Sequence, residues 1–303
     1  MTKSEDGPPP NMGRRSAISR AGMSAAAIGA IAAGIGRTSN AHAEALPNDM
    51  TLDLEILNFA LNLEYLEAEY YLNCVTGEGL PAKDADGLGT LGAATGGQRV
   101  KFSTPHIKQL AEEIAHDEYN HVLFLRSQLG SYAVGQPAID LKNSFLALGQ
   151  AAGLSFPFNP YLDEGSFLLG AYVFEDVGVT AYNGAAPLLT SKTFLAYASS
   201  ILGVEAYHAG GIRTLLYQYG WDAPANKIAA TRAAVSGTGP GTPYPADDQG
   251  PTLDGKVNLV PTDTNSLVFA RTTSQVLSVV YLGGTTSGGF FPAGVNGAIN
   301  SVG

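Results

Sequence analysis

The sequence holds one cysteine, Cys74, among 303 residues. An internal disulfide is therefore excluded, and with it any soft-metal site built from several thiolates. Cys74 itself falls inside a helical pattern and reads as a core or helix-end residue. Positive charge is also scarce, with 17 Lys and Arg against 27 Asp and Glu. A chain of that balance does not favour nucleic acid or an anionic lipid surface. Long apolar runs are missing too. The longest, Met23 to Gly36, falls short of the roughly 20 residues that a stable membrane span requires.

That run has informative flanks. The pair Arg14-Arg15 precedes it, and Ala41-His42-Ala43 follows it as a small-x-small cleavage signal. Residues 1–43 are expected to be a twin-arginine export signal, which sends a folded, cofactor-loaded protein to the periplasm or beyond. Setting aside its five basic and two acidic residues leaves 12 basic and 25 acidic, a net of −13. Residues 44–225 are expected to form a helical bundle, and 226–303 an extension packed on it.

Four segments repeat apolar residues at helical spacing. The first runs from about Asp53 to Asn73, with Asp53 or Thr51 as its cap. The second starts at Thr104-Pro105 and stops at Gly130. The third runs from about Asp163 to Leu189, and the fourth from Thr190 or Ser191 to Tyr219. The last two are almost contiguous, broken near Pro187, and should form a tight antiparallel pair. The stretch between the second and third carries Pro137, Pro157 and Pro160 and is long enough to cross the bundle. Residues 222–262, rich in Pro, Gly, Thr and Asp, read as irregular. Leu267 to Leu282 reads as a fifth helix or, from its β-branched content, a strand.

Each of the four apolar stripes carries an acid at its middle. They are Glu64, Glu118, Glu175 and Glu205, and His121 and His208 follow two of them at i+3. Spacings of three and four place all six on inward faces. Buried carboxylates cost several kcal/mol each unless paired, and no lysine or arginine lies in these stripes. Two divalent cations supply +4 against −4. The order E, ExxH, E, ExxH is also the one that holds paired metals in helical bundles. Chance predicts only about 0.2 ExxH motifs for this content of Glu and His, and three occur. The third, Glu113 to His116, lies off the stripe and reads as surface. So do Glu67, Glu69, His106 and Asp117, with Glu67 the substitute if Glu64 were not a ligand. Tyr71 and Tyr182 stand seven residues after Glu64 and Glu175 and read as core or supporting residues. A set of four glutamates and two histidines suits iron or manganese better than zinc.

The segments FALNLEYLEAEYY, HDEYNHVLFLRSQLG, FEDVGVTAYNGAAPLL and ILGVEAYHAGGIRTLL resemble the ferritin-like domain of desiccation-related proteins, as do FARTTSQVLSVVYLGG and GGFFPAGVNGAI near the end. The resemblance implies an all-α, ferritin-like four-helix bundle with a long crossover between its second and third helices. It carries the ligand roles onto Glu64, Glu118, His121, Glu175, Glu205 and His208. It implies stress association and names no reaction. Three functions remain open. The first is detoxification of peroxide or oxygen, as in related manganese catalases and rubrerythrins. The second is non-catalytic protection with structural metals. The third is iron binding or storage. Assembly into a homo-oligomer is left open.

Overall fold

Helices form wherever the 3.6-residue pattern runs unbroken. The computed structural model describes residues 48–238 and 248–303; the expected export signal lies outside the described residues. Helix α1 spans Asn48–Thr76, α2 Pro105–Leu129, α3 Asn143–Ala151, α4 Glu164–Ala185 and α5 Lys192–Gln218. Helix α1 packs along α2, and α4 along α5. A single 3₁₀ turn, Ala186–Leu188, joins α4 to α5, so that pair is antiparallel, as the break at Pro187 implies. The long crossover between α2 and α4 carries α3, and its Ile139–Asp140 pairs in parallel with Ala94–Thr95 of the α1–α2 loop. Among the described residues, no helix is long and apolar enough to cross a membrane.

The helix ends show how the bundle is tied. Asp163 caps α4 by accepting from the Ser166 N–H at 2.8 Å. Glu164 accepts from the Thr104 N–H at 2.6 Å, so the first residue of α4 satisfies the start of α2. Asp53 does not cap α1, which begins at Asn48. Its two carboxylate oxygens instead accept the N–H groups of Thr190 and Ser191, each at 2.8 Å, and so hold the α4–α5 turn. A capping residue in sequence is a free acceptor, and a distant turn took this one.

Two helices are buried nearly all round. From Ile56 to Tyr71 only Ala60 on α1 is not buried, and Ser166 to Tyr182 on α4 are buried throughout. The chain after Trp221 supplies much of the cover. It contains α6, Asp222–Ser236, where the sequence reads as irregular. Pro224 lies in the first turn, where proline starts helices as readily as it breaks them elsewhere. Within Leu267 to Leu282 the chain forms helix α7, Thr273–Val280, and not a strand. Thr272 and Gln275 close a capping box that decides the matter. Phe290 beyond it packs 5.0 Å from both Phe145 and Phe174.

A buried ionic network fastens this extension to α4. Asp176 accepts from Arg213 at 2.7 Å and Arg232 at 2.9 Å, and Asp248 pairs with Arg232 at 2.8 Å and Arg271 at 2.6 Å. All five side chains are buried. Arg213 also donates to the carbonyls of Gly250 and Asn258, each at 2.7 Å. Asp176 follows Glu175 in sequence, so α4 presents one acid to this clamp and the next to the bundle centre.

Candidate metal centre

The four helices bring the six expected residues together. Glu64 comes from α1, Glu118 and His121 from α2, Glu175 from α4, and Glu205 and His208 from α5, and all six are buried. The i, i+3 spacing puts each histidine one turn from its glutamate on the same face. Two groups result, each with its candidate ligand atoms within 4.8 Å of one another: Glu64, Glu118, His121 and Glu205 in one, and Glu118, Glu175 and His208 in the other. Glu118 belongs to both. His121 Nδ1 lies 3.2 Å from Glu64 Oε2 and 3.2 Å from Glu118 Oε2. His208 Nδ1 lies 3.0 Å from Glu118 Oε1 and 3.3 Å from Glu175 Oε2.

The supporting bonds cross over. Tyr71 on α1 donates to Glu175 on α4, and Tyr182 on α4 donates to Glu64 on α1. In each carboxylate the tyrosine takes Oε1. Asp117, expected at the surface, is only partly exposed, and its Oδ2 lies 3.3 Å from His208 Nε2. An Nε2–H donated to Asp117 orients the ring with Nδ1 toward the centre. Nothing in the sequence marks Asp117, because it sits beside Glu118 off the apolar stripe.

The residues fit a hard cation by the atoms they leave over. Both oxygens of Glu205 are buried and have no hydrogen-bond partner, and Glu118 Oε1, Glu175 Oε2 and His208 Nδ1 are buried and meet only one another. Unpaired buried acceptors are costly and rare in folded proteins. Here they converge, and oxygen with imidazole is a donor set for iron, manganese or zinc.

Electrostatics report the same crowding. Burial drives the Glu64 carboxyl up to about 7, against the pull of His121. Glu205 is pushed well above the usual range by burial and then by Glu67 and Glu118. Glu175 rises through burial, against His208. Burial acts upward on Glu118 as well, yet His121 and His208 outweigh it and hold its carboxyl below the ordinary range. Burial disfavours the charged form of His121, but Glu64 and Glu118 lift it to about 12. Protons held this way are what a cation displaces on binding.

Two acids read as solvated are not. Glu67 and Glu69 are each 5% exposed. The stripe on α1 assumes one wet face, but Val279, Val280 and Phe290 of the extension close it at Glu67, and the loop after α1 closes it at Glu69. Glu69 accepts from Asn73 at 3.3 Å and lies beneath Gly79, where a Cβ would meet its Oε2 at 1.8 Å. His106 and His116 are exposed, as expected, and Cys74 is buried.

Comparison with known proteins agrees with this geometry. Residues 52–218 match the family described as ferritin-like domain. The desiccation-related protein PCC13-62 of Craterostigma plantagineum is 31% identical over 247 residues, covering 74% of this chain and 76% of that protein. The ferritin-like catalase Nec2 of Nesocodon mauritianus is 30% identical over 268 residues, covering 82% of this chain and 84% of that protein. With its four-helix bundle, its long crossover and its paired Glu and Glu-x-x-His helices, this chain belongs to the ferritin-like family that includes desiccation-related proteins.

Proposed function

We propose that the cluster holds two ions of iron or manganese and that the loaded protein disposes of a small oxidant, hydrogen peroxide first. The observation that carries this reading is the convergence of buried carboxylates and imidazoles, with both Glu205 oxygens unpartnered, in two ligand groups that share Glu118. The relative named as a catalase, similar over most of this chain, supports peroxide as the substrate. Bound ions supply Lewis acidity and one-electron redox steps. The chain's own residues do the rest. Glu64, Glu118, Glu175, Glu205, His121 and His208 hold the ions, and Tyr71 and Tyr182 occupy the outer oxygens of Glu175 and Glu64. Asp117 fixes the ring of His208. An apolar cavity of about 30 Å³ borders Tyr182 between Leu63, Phe124 and Ile201. Such a space suits a small uncharged oxidant and rejects bulky or charged substrates.

The test is oxygen release from peroxide by protein loaded with manganese and, separately, with iron. Glu118→Gln serves as the inactive control. No turnover of peroxide or oxygen with either metal sinks the reading. The relative named for desiccation supports a second one, in which the metals are structural and the acidic protein protects other molecules during drying. A Glu118→Ala variant that loses metal but still protects a dried test enzyme favours that reading. Iron storage is the third, tested by iron uptake beyond two ions per chain.

Residues 1–43 are proposed to direct export by the twin-arginine route to the periplasm or medium. N-terminal sequencing of the exported protein should begin at Glu44, and Arg14→Lys with Arg15→Lys should retain the precursor inside the cell.

A further inference from the structure

The four-helix bundle is hollow on one side of the metal centre. A cavity of about 30 Å³ lies there among α1, α2, α4 and α5. Its walls come from the same helix faces that carry the ligands. Ala60 stands four residues before Glu64, Leu125 four after His121, Tyr182 seven after Glu175 and Ile201 four before Glu205. Offsets of four and seven are whole turns, so each wall residue shares its ligand's face. Four residues rise about 6 Å along a helix, which sets the inner wall one turn from the ligand layer. Tyr182 spans that turn. Its ring lines the cavity and its hydroxyl donates to Glu64.

The walls offer little to a polar occupant. Only Gln128, Tyr182 and Tyr197 among the lining residues carry a polar side-chain atom. Tyr182 spends its proton on Glu64, and Gln128 donates to Ser127 at 3.0 Å. A buried water needs at least two polar partners, and an apolar cavity without them stays dry and takes up apolar guests. This one has room for about two water-sized spheres. Its outer wall is thin. Ala60, Gln128 and Ala185 are partly exposed. Phe124 and Tyr197, partly exposed as well, meet edge to face at 4.9 Å between α2 and α5. Ala60, Ala185 and Ala198 border the space where larger side chains would fill it.

We propose that this cavity binds dioxygen and passes it between the metal centre and the outside of the bundle. Dioxygen has two atoms and no hydrogen bonds to lose on entry, whereas water and peroxide give theirs up. The part the cavity plays for the centre rests on the proposed peroxide reaction. Dismutation of two peroxides leaves two waters and one dioxygen, and the cavity is the exit for that gas. Binding of the gas itself rests on the cavity alone.

Dioxygen is paramagnetic, so it speeds the relaxation of the protons it visits. The metal-free full chain, methyl-labelled, is measured by NMR under nitrogen and under oxygen pressure. Ala198→Val and Ala185→Val, which place methyl groups in the space, are measured beside it after a check of fold by circular dichroism. Manganese per chain and oxygen release from peroxide are read on the same three proteins after loading. Methyl protons of Leu63, Ala198 and Ile201 should gain relaxation several-fold more than those of Ile228 and Val276, which are fully buried and do not line the cavity. In both variants that excess should vanish at Leu63 and Ile201, and oxygen release should slow while manganese content holds. Equal gains at both sets of methyls in the wild type overturn the proposal. A folded variant that keeps the excess overturns it too. Unchanged oxygen release from variants that have lost the excess overturns the passage of gas to the centre. A wild-type chain that shows the excess but holds no manganese or iron overturns the metal-centre reading and leaves the gas site standing.

Discussion

Adding one methyl group at Gly178 should empty the centre without unfolding the protein. The Cβ of Gly178→Ala would lie 2.1 Å from Glu205 Oε2, 2.9 Å from its Cδ and 3.6 Å from its Cγ. Ordinary contact needs about 3.5 Å, so the carboxylate end must retreat by more than ~1 Å. The Glu205 side chain is flexible at that end, and no hydrogen bond holds its oxygens. Overpacking then costs about 1–3 kcal/mol, and the better helix propensity of alanine offsets up to about 1 kcal/mol of that. A metal–ligand bond tolerates only about 0.2 Å. Affinity should therefore fall by at least ~10–100-fold, about 1.4–2.7 kcal/mol, while the denaturant midpoint of the metal-free protein moves little. The assay pairs manganese content per chain after dialysis with urea unfolding of the apoprotein. A Gly178→Ala protein that keeps both ions at wild-type affinity would refute the placement of Glu205 as a ligand.

Other consequences are open to direct measurement. Glu118→Gln should lose both ions, because Glu118 serves both groups, whereas Glu64→Gln should leave one ion on the Glu175 and His208 side; mass spectrometry separates the two outcomes. Arg232→Ala should destabilise the protein by about 3–5 kcal/mol in denaturant melts, since it leaves Asp176 and Asp248 buried with less compensation. The metal-free protein should lose stability as pH rises. Glu64 binds its proton more tightly when folded, so its contribution is full below about 4.5 and is lost as pH passes about 7. His121, raised to about 12, contributes fully below about 6.5 and loses its share only at higher pH. Glu118 opposes them only when pH falls below the usual carboxylate range. Urea midpoints at pH 5 and pH 7.5 should therefore fall in that order for the apoprotein and reverse when metal is present, because ligation requires deprotonated carboxylates. A rising apoprotein midpoint would contradict the crowding.

The bundle and its six inward ligand candidates are legible in the sequence alone. Helical periodicity is local, and an acid in the middle of an apolar stripe breaks the local rule plainly enough to call for a partner of opposite charge. Four such breaks, two of them followed by histidine at i+3, specify one another. Helix α2 was legible to the residue because Pro105 and Gly130 punctuate it. What the sequence left hidden depends on contacts between distant parts. Asp53 reads as a cap for α1 until the α4–α5 turn claims its oxygens. Glu67 reads as the wet face of α1 until α7 and Phe290 cover it. Asp117 gains meaning only because His208 arrives from another helix. The clamp of Asp176 and Asp248 with Arg213, Arg232 and Arg271 joins residues with no shared spacing. Sequence by itself determined which residues point inward, since helix geometry repeats every few residues. Only the tertiary structure decided which helix faces are dry, because that depends on what the rest of the chain lays over them.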